Sequence, residues 1–335
     1  QTQKLLREMV KAGCKYAVVE TSSQGILQSR HIGIDYNVAV FTNLTPEHIE
    51  AHGGFENYKK MKQKLFEVTK GTHVVNLDDP YAEEFLSFDA ETHAGFGLLD
   101  HRGTGLNTTP VIPSQIDLSG TATTFTLNDS VVHLKTIGRF YVSNVLAAMT
   151  AIHALGFDWD DIRRAAEDLE PVPGRLERVD EGQSFGVIVD YAYEPAALNA
   201  VYEALELIEY QRLIHITGSA GGGRDVARRE ILGQMAAERD DIVIVANEDP
   251  YDEDPIQIIN DVADAAAKAG KLDGVNLFRI LDRQEAIDYA INMAEAGDLV
   301  LITGKGSEPV MAVANGKKVP WDDRVAVRKA ITNLV

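Results

Sequence analysis

The sequence is poor in cysteine, in long apolar runs and in positive charge. Cys14 is its single cysteine, which excludes an intramolecular disulfide and fits a reducing cytoplasm. No run of about 18 apolar residues occurs, so no segment has the length of a membrane-spanning helix. The 32 lysines and arginines face 51 aspartates and glutamates, which gives a net charge of −19. This balance argues against nucleic acid as a partner, because binding to phosphates needs a basic surface.

The sequence also lacks a Walker-type phosphate-binding loop, since G-x-x-x-x-G-K-[ST] occurs nowhere in it. Its most glycine-rich stretch, Gly218–Gly223, does not have the G-x-G-x-x-G spacing of dinucleotide-binding loops either. That stretch follows a predicted strand and precedes a predicted helix, so its backbone amides are placed to meet an anion. A purely conformational role for the glycines is an equally good interpretation.

Length and periodicity predict two α/β domains. A chain of 335 residues suggests two domains, and its second half alternates strands with helices, which predicts a Rossmann-like parallel sheet. The predicted strands there are 186–191, 212–217, 241–246, 275–280 and 298–303, and the predicted helices are 195–208, 226–238, 255–269 and 283–296. The proline-punctuated stretch Pro171–Arg175 reads as a rigid linker, so we place the domain boundary between 1–172 and 173–335.

In the first half, two polar residues follow predicted strands. Strands are predicted at 15–20 and 35–41, so Glu20 and His48 come just after strand ends, where open α/β sheets place ligands. We therefore expect both side chains to lie within reach of one ion. A carboxylate and an imidazole there suit Mg²⁺, which takes few protein ligands and keeps several waters. By residue type alone, two ordinary surface side chains are the commoner interpretation.

The amino-acid sequences of three segments resemble those of a known family. ETSSQGILQSR (Glu20–Arg30), FTNLTPEHIEAHGG (Phe41–Gly54) and the helix that carries Lys62 resemble the central domain of the Mur ligases. Within that family they are most similar to the branch that adds the third amino acid to UDP-N-acetylmuramoyl-dipeptide. The resemblance implies that Glu20, His48 and a carbamylated Lys62 hold Mg²⁺. Carbamylation needs a neutral amine, which burial favours, whereas an ordinary exposed lysine is the alternative for Lys62.

Further residues receive roles only through this resemblance. It implies that Ser22, Gln28 and Arg30 contact the UDP-muramoyl substrate, and that Asn144, Arg175 and Asp190 contact the nucleotide. Three positions depart from the family pattern: Tyr141 replaces an asparagine near the adenine, and Tyr193 and Glu194 replace the histidine and threonine of DYAHTP.

Two stretches are expected to bind the incoming amino acid. Glu248-Asp249-Pro250-Tyr251 stands where diaminopimelate-adding relatives have Asp-Asn-Pro-Arg, and Gly304-Lys305-Gly306-Ser307-Glu308 stands where they have GKGHE. The resemblance therefore makes substrate contacts of Glu248, Asp249, Tyr251, Gly304 and Glu308. Tyr251 replaces the arginine that would bind a distal carboxylate, and the three carboxylates favour a side chain that ends in an amine. The other interpretation is a solvated acidic loop.

The resemblance thus predicts the central and C-terminal domains of an ATP-dependent, amide-forming ligase of peptidoglycan synthesis. The central domain is expected to be truncated at its N-terminus and followed by a Rossmann-like domain. ATP and Mg²⁺ are the expected cofactors, and UDP-N-acetylmuramoyl-dipeptide and an amino acid are the expected partners of a cytoplasmic monomer with no nucleic-acid or membrane partner. A folylpolyglutamate-synthetase-like ligase, a cyanophycin-synthetase-like ligase and a non-catalytic remnant that binds a nucleotide-sugar or a partner remain open.

Because the family cradles ATP with a P-loop and this sequence contains none, we expect the chain by itself not to turn over ATP. The measurement is phosphate release with Mg²⁺, ATP and UDP-N-acetylmuramoyl-dipeptide, against the Lys62→Ala chain as the control. Release above that control would contradict the expectation.

Overall fold

The computed structural model describes residues 2–101 and 108–334, and it divides the chain into two compact units. The first unit comprises Gln1–Ile112 and Ser143–Ile162, and the second comprises Pro113–Val142 and Arg163–Val335. Two helices, α6 (Arg139–Ala154) and α7 (Trp159–Glu167), each contain one of the limits between the units. Within the described ranges, no helix is long and apolar enough to cross a membrane.

The first unit is built on a parallel four-stranded sheet. Its other elements in chain order are α1 (Thr2–Lys11), α2 (Ser23–Leu27), β1 (Val38–Phe41), α3 (Ile49–His52), α4 (Phe55–Val68), β2 (Thr72–Asn76), α5 (Ala82–Leu86), β3 (Thr92–Phe96) and β4 (Thr109–Val111). The strands lie in the order β1-β2-β3-β4. Its core contains Phe41, which stacks on Phe85 with ring centroids 3.8 Å apart and meets Phe66 edge-on. Parallel pairing brings the C-terminal ends of β1 and β2 to the same edge of the sheet.

The strand predicted at Lys15–Glu20 is wrong. This segment has no regular secondary structure and pairs with none of the described strands, and Val18 is fully exposed. An apolar run becomes a strand only when a neighbouring backbone supplies its hydrogen bonds, and a local sequence pattern does not report whether that neighbour is present. Glu20 therefore lies in an irregular segment before α2 rather than at the end of a strand.

The second unit contains a six-stranded sheet and two small ones. Its elements are β5 (Gln115–Leu118), β6 (Thr123–Leu127), β7 (Ser130–Leu134), β8 (Glu177–Arg178), β9 (Gly186–Val189), α8 (Pro195–Leu205), β10 (Leu213–Thr217), α9 (Ala227–Arg239), β11 (Ile242–Ala246), α10 (Pro255–Lys268), β12 (Leu277–Ile280), α11 (Arg283–Met293), β13 (Leu299–Ile302), β14 (Val310–Val313), β15 (Lys317–Pro320) and α12 (Asp323–Thr332). The large sheet has the order β12-β11-β10-β13-β9-β8, parallel except for β8. Apolar clusters cover both of its faces, as expected for a parallel sheet between helices.

The five strands and four helices predicted for the second half are confirmed, with ends that differ by a few residues. The hairpin β14–β15 and the helix α12 were not predicted. The short strands between residues 86 and 135 are divided between the two units: β3 and β4 extend the first sheet, whereas β5, β6 and β7 form an antiparallel sheet in the second. Residues 102–107 of that stretch lie outside the described residues.

Candidate functional site

Lys62 in the first unit is a partly buried lysine in acidic surroundings. It projects from α4, its Nζ lies 5.1 Å from the centroid of the Tyr58 ring, and Glu47 Oε1 is 4.0 Å away. The side chain is 28% exposed. Burial lowers the pKa of Lys62, while the negative charges of Glu47, Asp79 and Glu20 oppose that change. The neutral amine that carbamylation requires is thus favoured here, unlike at the exposed lysines of the same helix.

The loop that follows β1 is held in place by residues at the end of β2. Asp79 Oδ2 accepts a hydrogen bond from the Leu44 amide at 2.8 Å, and its Oδ1 accepts one from the Tyr81 amide at 2.9 Å. The Asn76 side chain donates to the Thr42 carbonyl at 2.7 Å. Sequence reasoning missed the positions of Asp79 and Glu47 beside Lys62. The Asp78-Asp79-Pro80 turn directly after a predicted strand was the available signal for Asp79.

The proposed magnesium ligands lie around the same loop. His48 is the residue before α3, and its backbone lies in the left-handed region (φ 54°). Its ring meets the Tyr58 ring edge-on, with centroids 6.1 Å apart. The Tyr58 hydroxyl donates to Glu47. In the part of the chain that the structure describes, no three His, Cys, Asp or Glu side chains are close enough together to hold a metal ion. Carboxylate oxygens suit Mg²⁺, but this donor set needs further oxygen ligands, which a carbamate, phosphates and water would supply. That Glu20 and His48 share one ion stays a prediction.

The residues expected to contact the UDP-muramoyl substrate lie at and after α2. The Ser22 hydroxyl caps this helix by accepting from the Gly25 amide at 3.1 Å, and Gln28 ends the helix. Arg30 is exposed two residues later. The neighbouring Ser23 is buried, with its hydroxyl 3.0 Å from His52 Nε2. The cap gives Ser22 a structural role, and contacts of Ser22, Gln28 and Arg30 with a substrate remain predictions.

The residues expected to bind the nucleotide are divided between the units. Asn144 is an exposed residue of α6 in the first unit. In the second unit, both carboxylate oxygens of Asp190 accept backbone amides, from Leu176 at 2.7 Å and from Ala192 at 2.6 Å. The Arg175 guanidinium lies 4.2 Å from the centroid of the Tyr191 ring. Asp190 thus holds the backbone of the predicted linker region, and its nucleotide contact stays a prediction, as do those of Arg175 and Asn144.

All three residues that depart from the family pattern have structural partners. Tyr141 is buried and donates its hydroxyl to the Arg175 carbonyl at 3.1 Å, and burial raises the pKa of Tyr141 to about 12. Arg228 Nη1 donates to Glu194 Oε1 at 2.6 Å, and the Arg228 guanidinium lies 5.6 Å from the centroid of the Tyr193 ring. The pair Tyr193-Glu194 therefore surrounds a buried arginine.

The residues expected to bind the incoming amino acid meet at the C-terminal edge of the six-stranded sheet. Lys305, at 1% side-chain exposure, contacts both oxygens of Asp249 at 2.9 and 3.0 Å and also donates to Glu308. The Tyr191 hydroxyl donates to the other Glu308 oxygen at 2.7 Å. Burial alone would lower the pKa of Lys305, but the hydrogen bonds that Lys305 donates to Glu308 and Asp249 raise it, so an ammonium is maintained. Sequence reasoning considered Lys305 only as a cation that could replace the missing arginine, and did not predict its contacts with Asp249 and Glu308.

Glu248 is the buried carboxyl of this edge that has no cationic partner in contact. It follows β11, is 3% exposed, and its Oε2 accepts no hydrogen bond from any described group. Gly304 has φ +108°, and a Cβ there would lie 2.7 Å from the Glu248 carboxyl, so the carboxyl packs directly on a glycine. Burial raises the pKa of Glu248 to about 7. An unsatisfied buried carboxyl in such a position is a candidate binding group for a cation.

The glycine-rich loop lies against a carboxylate of the same unit. A Cβ on Gly221 would lie 2.9 Å from Glu253 Oε1, and Arg229 contacts the other oxygen of Glu253. The Tyr251 ring covers Gly222 so closely that a Cβ there would lie 2.5 Å from the ring, and the Arg224 guanidinium is 5.9 Å from the ring centroid. The loop therefore packs against Glu253 and Tyr251 of the chain itself.

A four-stranded parallel unit with a lysine among carboxylates and a separate Rossmann-like unit have the architecture of the ATP-dependent amide-forming ligases. The sequence profile of the Mur ligase middle domain matches residues 1–152, and that of the Mur ligase glutamate ligase domain matches residues 174–306. The chain belongs to the Mur ligase family, whose members are ATP-dependent amide-bond ligases.

Individual relatives agree with this assignment. The chain is 36% identical to a UDP-N-acetylmuramoyl-L-alanyl-D-glutamate–2,6-diaminopimelate ligase of Geobacillus kaustophilus, over 98% of this chain and 67% of that protein. It is 35% identical to a UDP-N-acetylmuramyl-tripeptide synthetase of Roseiflexus, over 100% of this chain and 68% of that protein. A solved structure of a diaminopimelate ligase of the first kind is 31% identical, with a TM-score of 0.58 over 98% of this chain and 67% of that one. The chain spans about two thirds of the length of the relatives it matches.

Replacing Glu248 by glutamine should remove a pH dependence of stability. The pKa of Glu248 is raised from 4.5 to about 7 in the folded state, so its stabilising contribution is complete below pH 4.5 and is lost as the pH rises through 7. At about 1.4 kcal/mol per pH unit the loss approaches roughly 3 kcal/mol by pH 8. We expect urea titrations to show a fall in the free energy of unfolding from pH 5 to pH 8 that is smaller in Glu248→Gln by about this amount.

The matched control is Glu230→Gln, which changes an exposed carboxylate of α9 and should keep the pH dependence of the wild type. Parallel pH profiles for Glu248→Gln and the wild type would show that Glu248 is ionised in the folded chain at neutral pH.

Proposed function

We propose that this chain is the catalytic and amino-acid-binding part of a ligase that adds the third amino acid to UDP-N-acetylmuramoyl-L-alanyl-D-glutamate in peptidoglycan synthesis. The observation that carries the proposal is Lys62, whose amine is desolvated beside Glu47, Asp79 and Glu20. A desolvated lysine at the end of a parallel sheet is what a metal-binding carbamate requires. The names of the relatives at 35–36% identity support the choice of substrate.

In the proposed reaction, the substrate carboxylate is phosphorylated by ATP, and the amine of the new residue attacks the acyl phosphate and expels phosphate. Activation is needed because a free carboxylate is a poor electrophile. Glu20, His48 and carbamylated Lys62 would hold Mg²⁺, which neutralises charge on the transferred phosphoryl group when bound. Asp79 contributes by fixing the backbone of the loop that carries His48.

The residues given to the substrates in this proposal fall into three groups. Ser22, Gln28 and Arg30 would contact the muramoyl substrate, and Asn144, Arg175 and Asp190 would lie near the nucleotide. Glu248, Asp249, Tyr251, Gly304 and Glu308 would surround the incoming amino acid. No P-loop occurs among these 335 residues, so the proposal assigns none of them to binding the ATP phosphates.

We further propose that the incoming amino acid has a basic side chain. Lys305 carries one positive charge between Asp249 and Glu308, so these two carboxylates and Glu248 leave an excess of negative charge. Tyr251 has no guanidinium group, so it cannot form the two parallel hydrogen bonds that an arginine makes with a distal carboxylate. Arg224 lies beside the Tyr251 ring, whereas Arg228 and Arg229 are paired with carboxylates.

Lys62→Ala should abolish carbamylation and, in the complete enzyme, activity. We expect ¹³C-bicarbonate NMR of the wild-type chain to show a carbamate carbon that is absent in Lys62→Ala and kept in Lys60→Ala, an exposed lysine of the same helix. Short carboxylic acids should partly restore activity to Lys62→Ala, because they replace the missing oxygens. An unchanged carbamate signal and full activity in Lys62→Ala would show that Lys62 is an ordinary lysine.

The acceptor preference predicts that the chain binds L-lysine or L-ornithine more tightly than meso-diaminopimelate. The expected ratio is at least about tenfold, because a second carboxylate beside Glu248, Asp249 and Glu308 is repelled where an ammonium is attracted. Calorimetric titration of the chain measures it, and kcat/KM with each acceptor measures it in the complete enzyme. Glu248→Gln should reduce the ratio and Glu230→Gln should not. A preference for diaminopimelate would mean that Arg224 binds the distal carboxylate.

A further inference from the structure

A buried arginine outside the predicted site reaches the backbone of both loops that carry the acceptor-binding residues. Arg283 begins α11, and its side chain is 1% exposed. Its Nη2 donates to the Thr303 carbonyl at 2.7 Å, and its Nη1 donates to the Asn247 carbonyl at 3.3 Å. Asn247 directly precedes Glu248, and Thr303 directly precedes Gly304. One guanidinium therefore joins the ends of β11 and β13.

Asp323 completes this arrangement from the other side. Arg283 Nε and Nη2 form a bidentate pair with its two oxygens, both at 2.8 Å. Asp323 Oδ2 also accepts the Gly306 amide at 3.1 Å, and the Asp323 amide donates to the Gly306 carbonyl at 3.2 Å. Trp321 donates its indole N–H to Oδ1 at 2.9 Å. The carboxylate thus fixes the turn between Lys305 and Glu308.

A second buried contact fixes Thr303. Its hydroxyl lies 2.9 Å from His215 Nε2, and His215 Nδ1 lies 2.8 Å from Asp240 Oδ2, to which Tyr202 also donates. All four side chains are buried. The residue after β13 is therefore held at its carbonyl by Arg283 and at its side chain by His215.

We propose that Arg283 and Asp323 are positioning residues that set the distance between the Glu248-Asp249 loop and the Gly304–Glu308 turn, and thereby the selectivity for the incoming amino acid. The inference rests on the proposed acceptor site. An arginine is needed here, because one side chain donates to two backbone carbonyls and to both oxygens of a carboxylate. A lysine keeps the charge opposite Asp323 but cannot reach both carbonyls as well.

The chain supplies a matched control at the opposite edge of the same sheet. Arg212 directly precedes β10 and Asp298 directly precedes β13, and they form a bidentate pair at 3.1 and 2.6 Å. Arg212→Lys therefore removes a bidentate pair beside the same strand at its N-terminal end, at a side chain that is 37% exposed where that of Arg283 is 1% exposed. A general loss of stability should accelerate exchange throughout the sheet, whereas a loss of positioning should accelerate it at the two loops.

The experiment compares wild type, Arg283→Lys and Arg212→Lys by hydrogen–deuterium exchange and by titration with L-lysine and meso-diaminopimelate. In Arg283→Lys we expect at least about fivefold faster amide exchange in peptides that cover 247–253 and 303–308, and a lysine-to-diaminopimelate affinity ratio reduced about tenfold. Arg212→Lys should keep both values. Cooperative unfolding of each variant confirms that it is folded at the assay temperature.

The outcomes separate the two hypotheses. If the wild type binds neither amino acid, the acceptor site of the proposed function fails, while the exchange rates still decide whether Arg283 positions the two loops. If Arg283→Lys matches Arg212→Lys in exchange at both loops, or keeps the wild-type affinity ratio where binding occurs, the positioning role is overturned and the pair only stabilises the fold.

Discussion

Compensation of buried charge at the C-terminal edge of the six-stranded sheet is the constraint on which the second unit depends. Removing two opposite charges from water costs several kcal/mol, so such a pair persists only when its remaining hydrogen-bonding groups are also satisfied. Arg283 and Asp323 meet this condition by bonding to the backbone at the ends of β11 and β13. Strand ends that would otherwise be loose loops are thereby fixed, and the side chains that follow them acquire defined positions.

The same rule accounts for the composition of that edge. Arg228 is neutralised by Glu194, Arg229 by Glu253 and Asp261, and Lys305 by Asp249 and Glu308. Glu248 stands apart, because burial raises the pKa of its carboxyl to about 7 and one of its oxygens has no hydrogen-bond partner among the described groups. Unpaired buried polar groups of this kind concentrate at functional sites, since a ligand can supply what the fold does not.

In the first unit, hydrogen bonds from side chains to backbone groups hold the sheet edge. Asp79 and Asn76 hold the backbone of the loop after β1, and α4 brings Lys62 against that loop. Sequence patterns predicted α4 and the glycine-rich loop, because helical spacing and glycine clusters are local signals. They misplaced Lys15–Glu20, since a strand is defined by its neighbour. They did not predict that Glu253 would lie against the glycine-rich loop, because such a contact depends on how two loops of different strands approach each other.

The sequence by itself determined the family, the alternation of strands and helices, and the identity of the residues from Glu20 to Glu308 that were expected to act. These properties follow from local hydrophobic periodicity and from the residues of short motifs. The tertiary structure alone decided which of those side chains are committed to the fold. Asp190 and Ser22 bind backbone amides, Lys305 binds the two carboxylates, and Glu248 retains a free oxygen. The physical reason is that burial and hydrogen-bond partners come from residues distant in the chain, whereas a motif specifies only its own chemistry.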